Sequence, residues 1–201
     1  ATDAAWFLLA LTRERELTGS TRHVDLTCWL AQLLATRFVD DQMVVLSAGA
    51  TSSDLVVAPT EVLDGAMPSA TAMVARALLR HGALTDDAGS VDLGQGILLK
   101  VAKLLEEHAA AVPDLVVSLA LADSRSELRL VGAPELERYV AGRWLPATVI
   151  VPEGAASLEG VSPGTPGAYL CHGYRCLAPV ASVEALAEAL TGVPGGGGST
   201  T

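Results

Sequence analysis

Residues 54–85 read DLVVAPTEVLDGAMPSATAMVARALLRHGALT. An extended apolar run ends at Ala58-Pro59, a turn follows, and Pro68-Ser69 then opens a helix, because proline suits the first helical turn. After it, Ala70, Met73, Val74, Ala77, Leu78 and His81 recur at helical spacing. This stretch predicts an inner helix around which the rest of the chain is organised.

Helical patterns flank this stretch on both sides. Residues 4–17 begin with WFLLAL and end with RERE, which predicts a helix that is buried at one end and solvated at the other. The next helix runs to about Phe38 and carries two apolar stripes, Val24, Cys28, Ala31, Ala35 and Phe38 on one side and Leu26, Leu30 and Leu33 on the other. Two stripes predict neighbours on two sides, as in the inner ring of a helical toroid or in a layered bundle.

Three segments between and after these helices have weaker patterns. Residues 43–57 lose the helical period and carry a Gly/Ser/Thr turn between β-branched runs, which predicts a short β-hairpin. After the polar break TDDAGS, residues 92–111 predict the longest helix. The run LVVSLALA after Pro113-Asp114 fits a buried helix and a buried strand equally well.

After residue 123 the sequence pattern changes from successive helices to short strands that alternate with helices. ELRLVG reads as a strand, PELERYVAGRW as a helix that begins at Pro134, and ATVIVP as a second strand, which together predict a βαβ unit. AYLCH and YRCLA predict two further short strands, and Ser182 caps a last helix. We therefore expect helical hairpins over 1–123, a small α/β segment over 124–192 and a flexible Gly-rich tail over 193–201.

Composition excludes several classes of partner. The net charge of −10 over 201 residues argues against nucleic acid and anionic membrane surfaces, because phosphate binding needs clustered Lys and Arg. The apolar runs are too short for a membrane-spanning helix. Three cysteines fit a reducing compartment, so we expect a cytoplasmic protein. The chain lacks an initiator Met, and we interpret it as a piece of something longer or as a trimmed product.

Two blocks carry a family resemblance. The first, over 2–85, contains LTRERELTGS, a helix that ends in FVDD, SDLVVAPTEVLDGAMPSATA and LLRHGALT; the second contains LRLVGAPEL and AYLCHGYRCLAPVASVEALAEAL. Together they resemble the thioredoxin domain-containing family that is called YyaL-like in bacteria and spermatogenesis-associated in animals. Relatives show a PSGN segment where this chain has PSAT, and a yvC-x4-C-x-x-P signature.

The resemblance implies a fold. In that family a thioredoxin-like domain with a CxxC precedes an (α/α)6 barrel similar to those of N-acylglucosamine 2-epimerases and six-hairpin glycosidases. This chain resembles the last third, without the CxxC. We therefore expect a mainly α fold, in which a partial (α/α)6 toroid of helical hairpins precedes the small α/β segment.

The candidate pocket consists of Asp64, Ser69 and His81. Asp64 and Ser69 lie where a loop enters the inner helix, and a helix N-terminus with a serine could bind a hydroxyl or an anion. The alternative is that both residues only satisfy turn and helix-end amides. His81 suits acid–base work near neutral pH, but a hydrogen-bonded core histidine is the commoner case.

Other polar residues are weaker candidates. Asp40-Asp41 could supply the paired carboxylates of glycosidic chemistry, although adjacent acids at a helix end are usually solvated. His23 and His108 have no partner at a spacing typical of a site. The tryptophans Trp6, Trp29 and Trp144 could stack on sugars, but core packing explains them more simply.

Cys171 and Cys176, with His172 beside them, allow three interpretations. A C-x4-C pair lacks the second ligand pair of a structural zinc site and the two-residue spacing of thioredoxin-like motifs, so we expect no metal and no cofactor. Two small buried hydrophobes are the simplest interpretation. A redox-sensitive disulfide between neighbouring strands is the other.

Two main functional hypotheses follow, beside a weaker third, a thiol–disulfide accessory role through Cys171 and Cys176. In the first, the chain is a non-catalytic fragment or partner subunit whose open toroid edge packs on a protein partner or a second copy, since exposed apolar helix faces need covering. In the second, it is a carbohydrate-directed enzyme of the epimerase or six-hairpin glycosidase type that binds a sugar ligand. Convergence of Asp64, Ser69 and a histidine in one concave site would favour the second; the catalytic residues are unknown.

Overall fold

A computed structural model describes residues 1–48, 57, 59–124, 126–153, 165–172 and 175–191. Within these ranges the helices are α1 (Thr2–Thr18), α2 (Val24–Arg37), α3 (Ala70–Thr85), α4 (Ala88–Lys100), α5 (Ala102–His108), α6 (Pro113–Ser124), α7 (Pro134–Ala141) and α8 (Val183–Thr191). The strands are β1 (Ser126–Val131), β2 (Thr148–Val151), β3 (Gly167–His172) and β4 (Arg175–Cys176). The prediction of a mainly helical fold is confirmed.

Helix α3 is the centre of the helical layer, as the stretch 54–85 predicted. Its residues Ala70–Ala75, Ala77–Gly82 and Leu84 are all buried, and the helix packs against α1, α2, α4, α6 and β2. A helix that is buried on every side needs small residues wherever a neighbour comes close. The many alanines of ATAMVARALLRHGALT meet this need.

Two glycines allow α3 and α4 to approach each other closely. A Cβ on Gly82 would lie 2.7 Å from the carbonyl oxygen of Asp87, and one on Gly94 would lie 2.7 Å from Cγ of Leu79. Such distances are well inside van der Waals contact, so larger side chains would push the helices apart. Gly94 weakens the helix locally, but it is required for packing.

The prediction of one long helix over 92–111 is wrong at its start and in the middle, whereas the helical segment does end at Ala111. Helix α4 already begins at Ala88, because the Asp87 side chain accepts a hydrogen bond from the Ser90 amide at 3.3 Å and so caps the helix. The helix then stops at Val101, whose amide bonds back to Leu98 at 3.2 Å in a tightened last turn. Helix α5 and a 3-10 turn at Ala109–Ala111 follow.

Three other predicted segments have different outcomes. LVVSLALA, for which helix and strand were both open, forms helix α6. Most of the predicted hairpin over 43–57 and the tail over 193–201 lie outside the described residues. The described part of the first shows only isolated antiparallel bridges, Val39 with Val45 and Leu46 with Thr60.

The strands form one mixed sheet in the order β2-β1-β3-β4. Strands β1 and β2 are parallel and are joined through α7, which confirms the βαβ unit; β3 is antiparallel to β1 and β4. The two faces of the sheet have different neighbours. Val149 and Val151 belong to the apolar cluster of the helical layer, whereas Ile150 packs with α7 and α8.

A buried ionic network ties the helical layer to the sheet. The guanidinium of Arg80 on α3 bonds Glu16 on α1, with Nε 2.5 Å from Oε1, and donates to the carbonyl oxygens of Pro146 and Thr148 at 3.1 and 2.5 Å. The Glu16 carboxylate also accepts the Ile150 amide at 3.3 Å. Every one of these partners lies on a different element from Arg80, so the network fixes the sheet against α1 and α3.

Candidate functional site

Asp64 holds two helix N-termini together. One carboxylate oxygen accepts the Ser69 amide at 2.7 Å, at the start of α3, and the other accepts the Asp114 amide at 2.8 Å, in the first turn of α6. The Asp64 amide in turn donates to the carbonyl of Ala111 at 3.0 Å. The side chain therefore clamps the loop before α3 to α6, and both of its oxygens serve backbone groups.

Ser69 is the N-cap of α3. Its hydroxyl accepts the Ala72 amide at 3.3 Å, and the residue is fully buried. The sequence motif PSAT is therefore a capping motif in this chain, and the hydroxyl of its last residue, Thr71, donates to the Glu61 carbonyl at 2.7 Å. Asp64 and Ser69 lie together, as expected, and the contacts of both side chains are those of the helix-end alternative.

His81 lies at the opposite end of α3. Residues 69 and 81 are separated by about 18 Å along a helix that rises about 1.5 Å per residue, so the structure does not bring His81 to Asp64 and Ser69. The imidazole is buried, and burial lowers its pKa below the ordinary 6.5, with nearby Arg15 acting in the same direction and Asp87 opposing. His81 is therefore a neutral core side chain at physiological pH.

The remaining acids and histidines are dispersed. One carboxylate oxygen of Asp40 accepts the amides of Gln42 and Val44 at 2.9 and 2.8 Å, which closes a tight turn, while Asp41 is exposed. His23 precedes α2 and His108 ends α5. Within the described ranges, no three His, Cys, Asp or Glu side chains are grouped so that they could hold a metal ion.

A cleft of about 240 Å³ lies between the end of α1, helix α7 and the sheet, and none of the three candidate residues lines it. Its acidic side chains are Glu16, Glu137 and Glu153, and its apolar ones include Leu130 and Val140. Glu16 is engaged by Arg80, and Glu153 accepts the Gly132 amide at 3.2 Å. Glu16 and Glu153 are therefore held by structural bonds.

Cys171 and Cys176 form a disulfide across β3 and β4. The interpretation as two small buried thiols does not hold, because the side chains are bonded and only Cys171 is buried; Cys176 is exposed. Cys28 on α2 is a free, exposed thiol. Glu127 on β1 is the register partner of Cys171. Burial raises the pKa of the Glu127 carboxyl, and nearby Arg129 acts in the opposite direction and lowers it.

The interpretation of the tryptophans as core residues is wrong. Trp6, Trp29 and Trp144 are 39, 55 and 79% exposed, and Phe7 beside Trp6 is 49% exposed. The reason is geometric: Ala5 and Leu8 supply the buried side of α1, which turns Trp6 outward. Sequence reasoning missed this surface, because the run WFLLAL is apolar on every side of the helix and does not mark which side is buried.

Sequence reasoning also missed Glu16 and Arg80, which form a buried ion pair between α1 and α3. Their signal was weak: both stand beside other charged or polar residues that suggest a solvated helix end.

In the part of the chain that is described, no helix is at once long enough and apolar enough to cross a membrane. No known family model matches the chain, and no curated protein matches it.

Proposed function

We propose that this chain is a non-catalytic helical unit, an arc of an (α/α)6 toroid with an attached α/β segment, that works by associating with another protein chain in the cytoplasm. The observation that carries the proposal is the aromatic surface of the first two helices. Trp6 and Phe7 on α1 and Trp29 on α2 project large apolar side chains into solvent.

The outer side of α1 has the spacing of a docking face. Trp6, Ala10, Arg13 and Leu17 follow one another at intervals of four, three and four residues, which places them along one stripe of the helix. Leu17 is 56% exposed, and Arg13 is held by Glu16 at 2.7 Å. The stripe is therefore apolar at both ends, with a cationic side chain fixed between them.

Tryptophan and arginine are the residues that most often dominate the energy of protein–protein interfaces, because they bury a large area and retain a polar handle. Helical hairpins in a toroid bury such faces against the next hairpin. Within our proposal, α1 and α2 form the open edge of the arc, and helices of another chain cover it.

The site chemistry agrees with a non-catalytic unit. The side-chain oxygens of Asp64 and Ser69 accept hydrogen bonds from backbone amides. His81 is buried at the far end of α3. These contacts add no support to the carbohydrate-directed alternative, which stays a prediction from the resemblance. A sugar ligand would need groups that are not already engaged in helix capping.

Light scattering coupled to size-exclusion tests the proposal. We expect the chain of 20.7 kDa to form a species of at least twice that mass, either with itself or with a thioredoxin-domain protein encoded beside it. The substitutions Trp6→Glu and Trp29→Glu should abolish that species. Trp144→Glu is the matched control, because it removes an exposed tryptophan from the loop after α7. A 20.7 kDa monomer under both conditions would contradict the proposal.

A further inference from the structure

We propose that Cys171 and Cys176 are a reversible redox pair that undergoes thiol–disulfide exchange with a dithiol, and that Cys176 is the sulfur that the dithiol attacks. This inference is independent of the association through α1 and α2, since it concerns the opposite end of the chain. It rests on where the disulfide lies in the sheet, on the unequal exposure of its two halves, and on the bonds that hold the hairpin without it.

The disulfide lies at the margin of the sheet. In the order β2-β1-β3-β4, β4 is the edge strand, and it consists of Arg175 and Cys176 alone. Cys171 is the direct register partner of Cys176. An edge strand has one side open, so a protein or a small thiol can approach it without entering the fold.

The two cysteines differ in access. Cys171 is 2% exposed and packs with Tyr169 and Val131 on the face of the sheet, whereas Cys176 is exposed. Thiol–disulfide exchange requires the attacking thiolate to reach one sulfur along the line of the bond, so access decides which sulfur is attacked. The attack therefore falls on Cys176, and Cys171 is the leaving group.

The hairpin has other bonds that keep its register when the disulfide is open. The Leu177 amide donates to the Leu170 carbonyl at 2.9 Å, and Ala168 and Val180 exchange two backbone hydrogen bonds at 2.8 and 2.9 Å. Beyond them, Leu186 of α8 is fully buried against the sheet. Reduction thus leaves both thiols in place for reoxidation.

The exchange balances as two displacements. A thiolate of the dithiol attacks Sγ of Cys176, the bond between the two Sγ atoms breaks, and its electron pair goes to Sγ of Cys171, which takes up a proton. The second thiolate of the dithiol then attacks its own sulfur in the mixed disulfide and releases Cys176 as a thiolate, which is also protonated. The dithiol is oxidised to a disulfide, and this chain gains two thiols.

Thiol counting on the folded chain is the first test. Cys28 is the other cysteine of the chain and is free, so the oxidised chain should show one reactive thiol and the reduced, subsequently denatured chain three. We expect dithiothreitol to open the pair without denaturant, and oxidised glutathione to close it again, with an unchanged circular dichroism spectrum. A disulfide that opens only in denaturant, or a chain that keeps three thiols after oxidation, would overturn the proposal.

Single-cysteine variants test the difference in access from which the attack on Cys176 is inferred. In a Cys28→Ser background, Cys171→Ser leaves Cys176 as the remaining thiol, and Cys176→Ser leaves Cys171. We expect oxidised glutathione to add one glutathione to the first variant and none to the folded second one, read by intact mass. The second variant must become modified in denaturant, which shows that its thiol is intact. Equal modification of both folded variants would contradict the assignment of Cys176.

Discussion

Arg80 and Glu16 form an ion pair in which both side chains are almost completely buried, on two helices whose residues are far apart in sequence. The guanidinium also bonds two carbonyls at the end of the connection into β2. A buried charge is tolerated only when it is paired and its remaining donors are satisfied. The pair is therefore a buried polar link between the helical layer and the sheet.

Replacing Arg80 by methionine should destabilise the chain by about 2–4 kcal/mol, because the buried Glu16 carboxylate would lose its two bonds to Arg80 and keep only the partly exposed Arg13 as a cationic partner. Urea denaturation followed by circular dichroism measures the loss. The double variant Arg80→Met with Glu16→Leu should be less destabilised than Arg80→Met alone, since it removes both charges. If the double variant lost as much stability as the sum of the two single variants, the pair would not be coupled.

Asp64→Ala should cost about 2 kcal/mol of unfolding free energy, because it removes the acceptor of amides at the starts of both α3 and α6. Asp41→Ala is the control, as this exposed carboxylate should change stability by less than about 0.5 kcal/mol. Thermal denaturation of both variants checks the difference. Equal stability of the Asp64 variant and the parent chain would show that the clamp is unimportant.

The free energy of unfolding should fall as the pH is lowered through 6.5, in part through His81. Burial lowers the pKa of this imidazole in the folded chain below its ordinary 6.5, so the unfolded chain binds the proton more readily below that pH. The stability that depends on neutral His81 is therefore present above pH 6.5 and is lost below it. His81→Gln should flatten this part of the pH profile, which urea titrations across the range will show.

That pH profile contains an opposing contribution from Glu127. Burial raises the pKa of this carboxyl in the folded chain above its ordinary 4.5. The stability that depends on protonated Glu127 is therefore present below pH 4.5 and is lost as the pH rises through the raised pKa. Comparing His81→Gln with the parent chain at each pH removes the Glu127 contribution, since both proteins retain that carboxyl. A difference that is constant with pH would contradict the assignment to His81.

Gly94→Ala should destabilise the chain by about 1–3 kcal/mol, despite the better helix propensity of alanine, because its Cβ would overlap Leu79 of α3. Gly96→Ala on the same helix is the matched control. There the nearest atom is Sδ of Met43 at 3.0 Å, the end of a flexible side chain that can move. The control should be neutral or stabilised by up to about 1 kcal/mol, measured by the midpoint of urea denaturation.

Sequence periodicity predicted the elements that have one strongly marked face. Helix α3, the βαβ unit around α7 and the capping of α8 by Ser182, whose hydroxyl accepts the Ala185 amide at 3.2 Å, all follow from local patterns. The break at Val101 did not, because a tightened helix end at a β-branched residue leaves no change in the apolar pattern.

The site was less predictable than the fold. The position of Asp64 beside Ser69 followed from the loop that enters α3, but its bond to Asp114 links residues 50 positions apart, which no local pattern reveals. The disulfide was one of several interpretations of a C-x4-C spacing. The outward direction of Trp6 and Trp29 depends on which side of each helix meets α3, and that is decided by the tertiary packing.

The alternation of side chains along β2 has a practical consequence for anyone who divides this protein. Val149 and Val151 complete the apolar core of the helical layer. The carbonyls of Pro146 and Thr148 accept hydrogen bonds from the Arg80 guanidinium. A truncated chain that stopped at residue 124 would lose the carbonyl partners of Arg80 and would expose the apolar surface that Val149 and Val151 cover. We expect such a piece to aggregate on expression, so the two segments should be produced as one polypeptide.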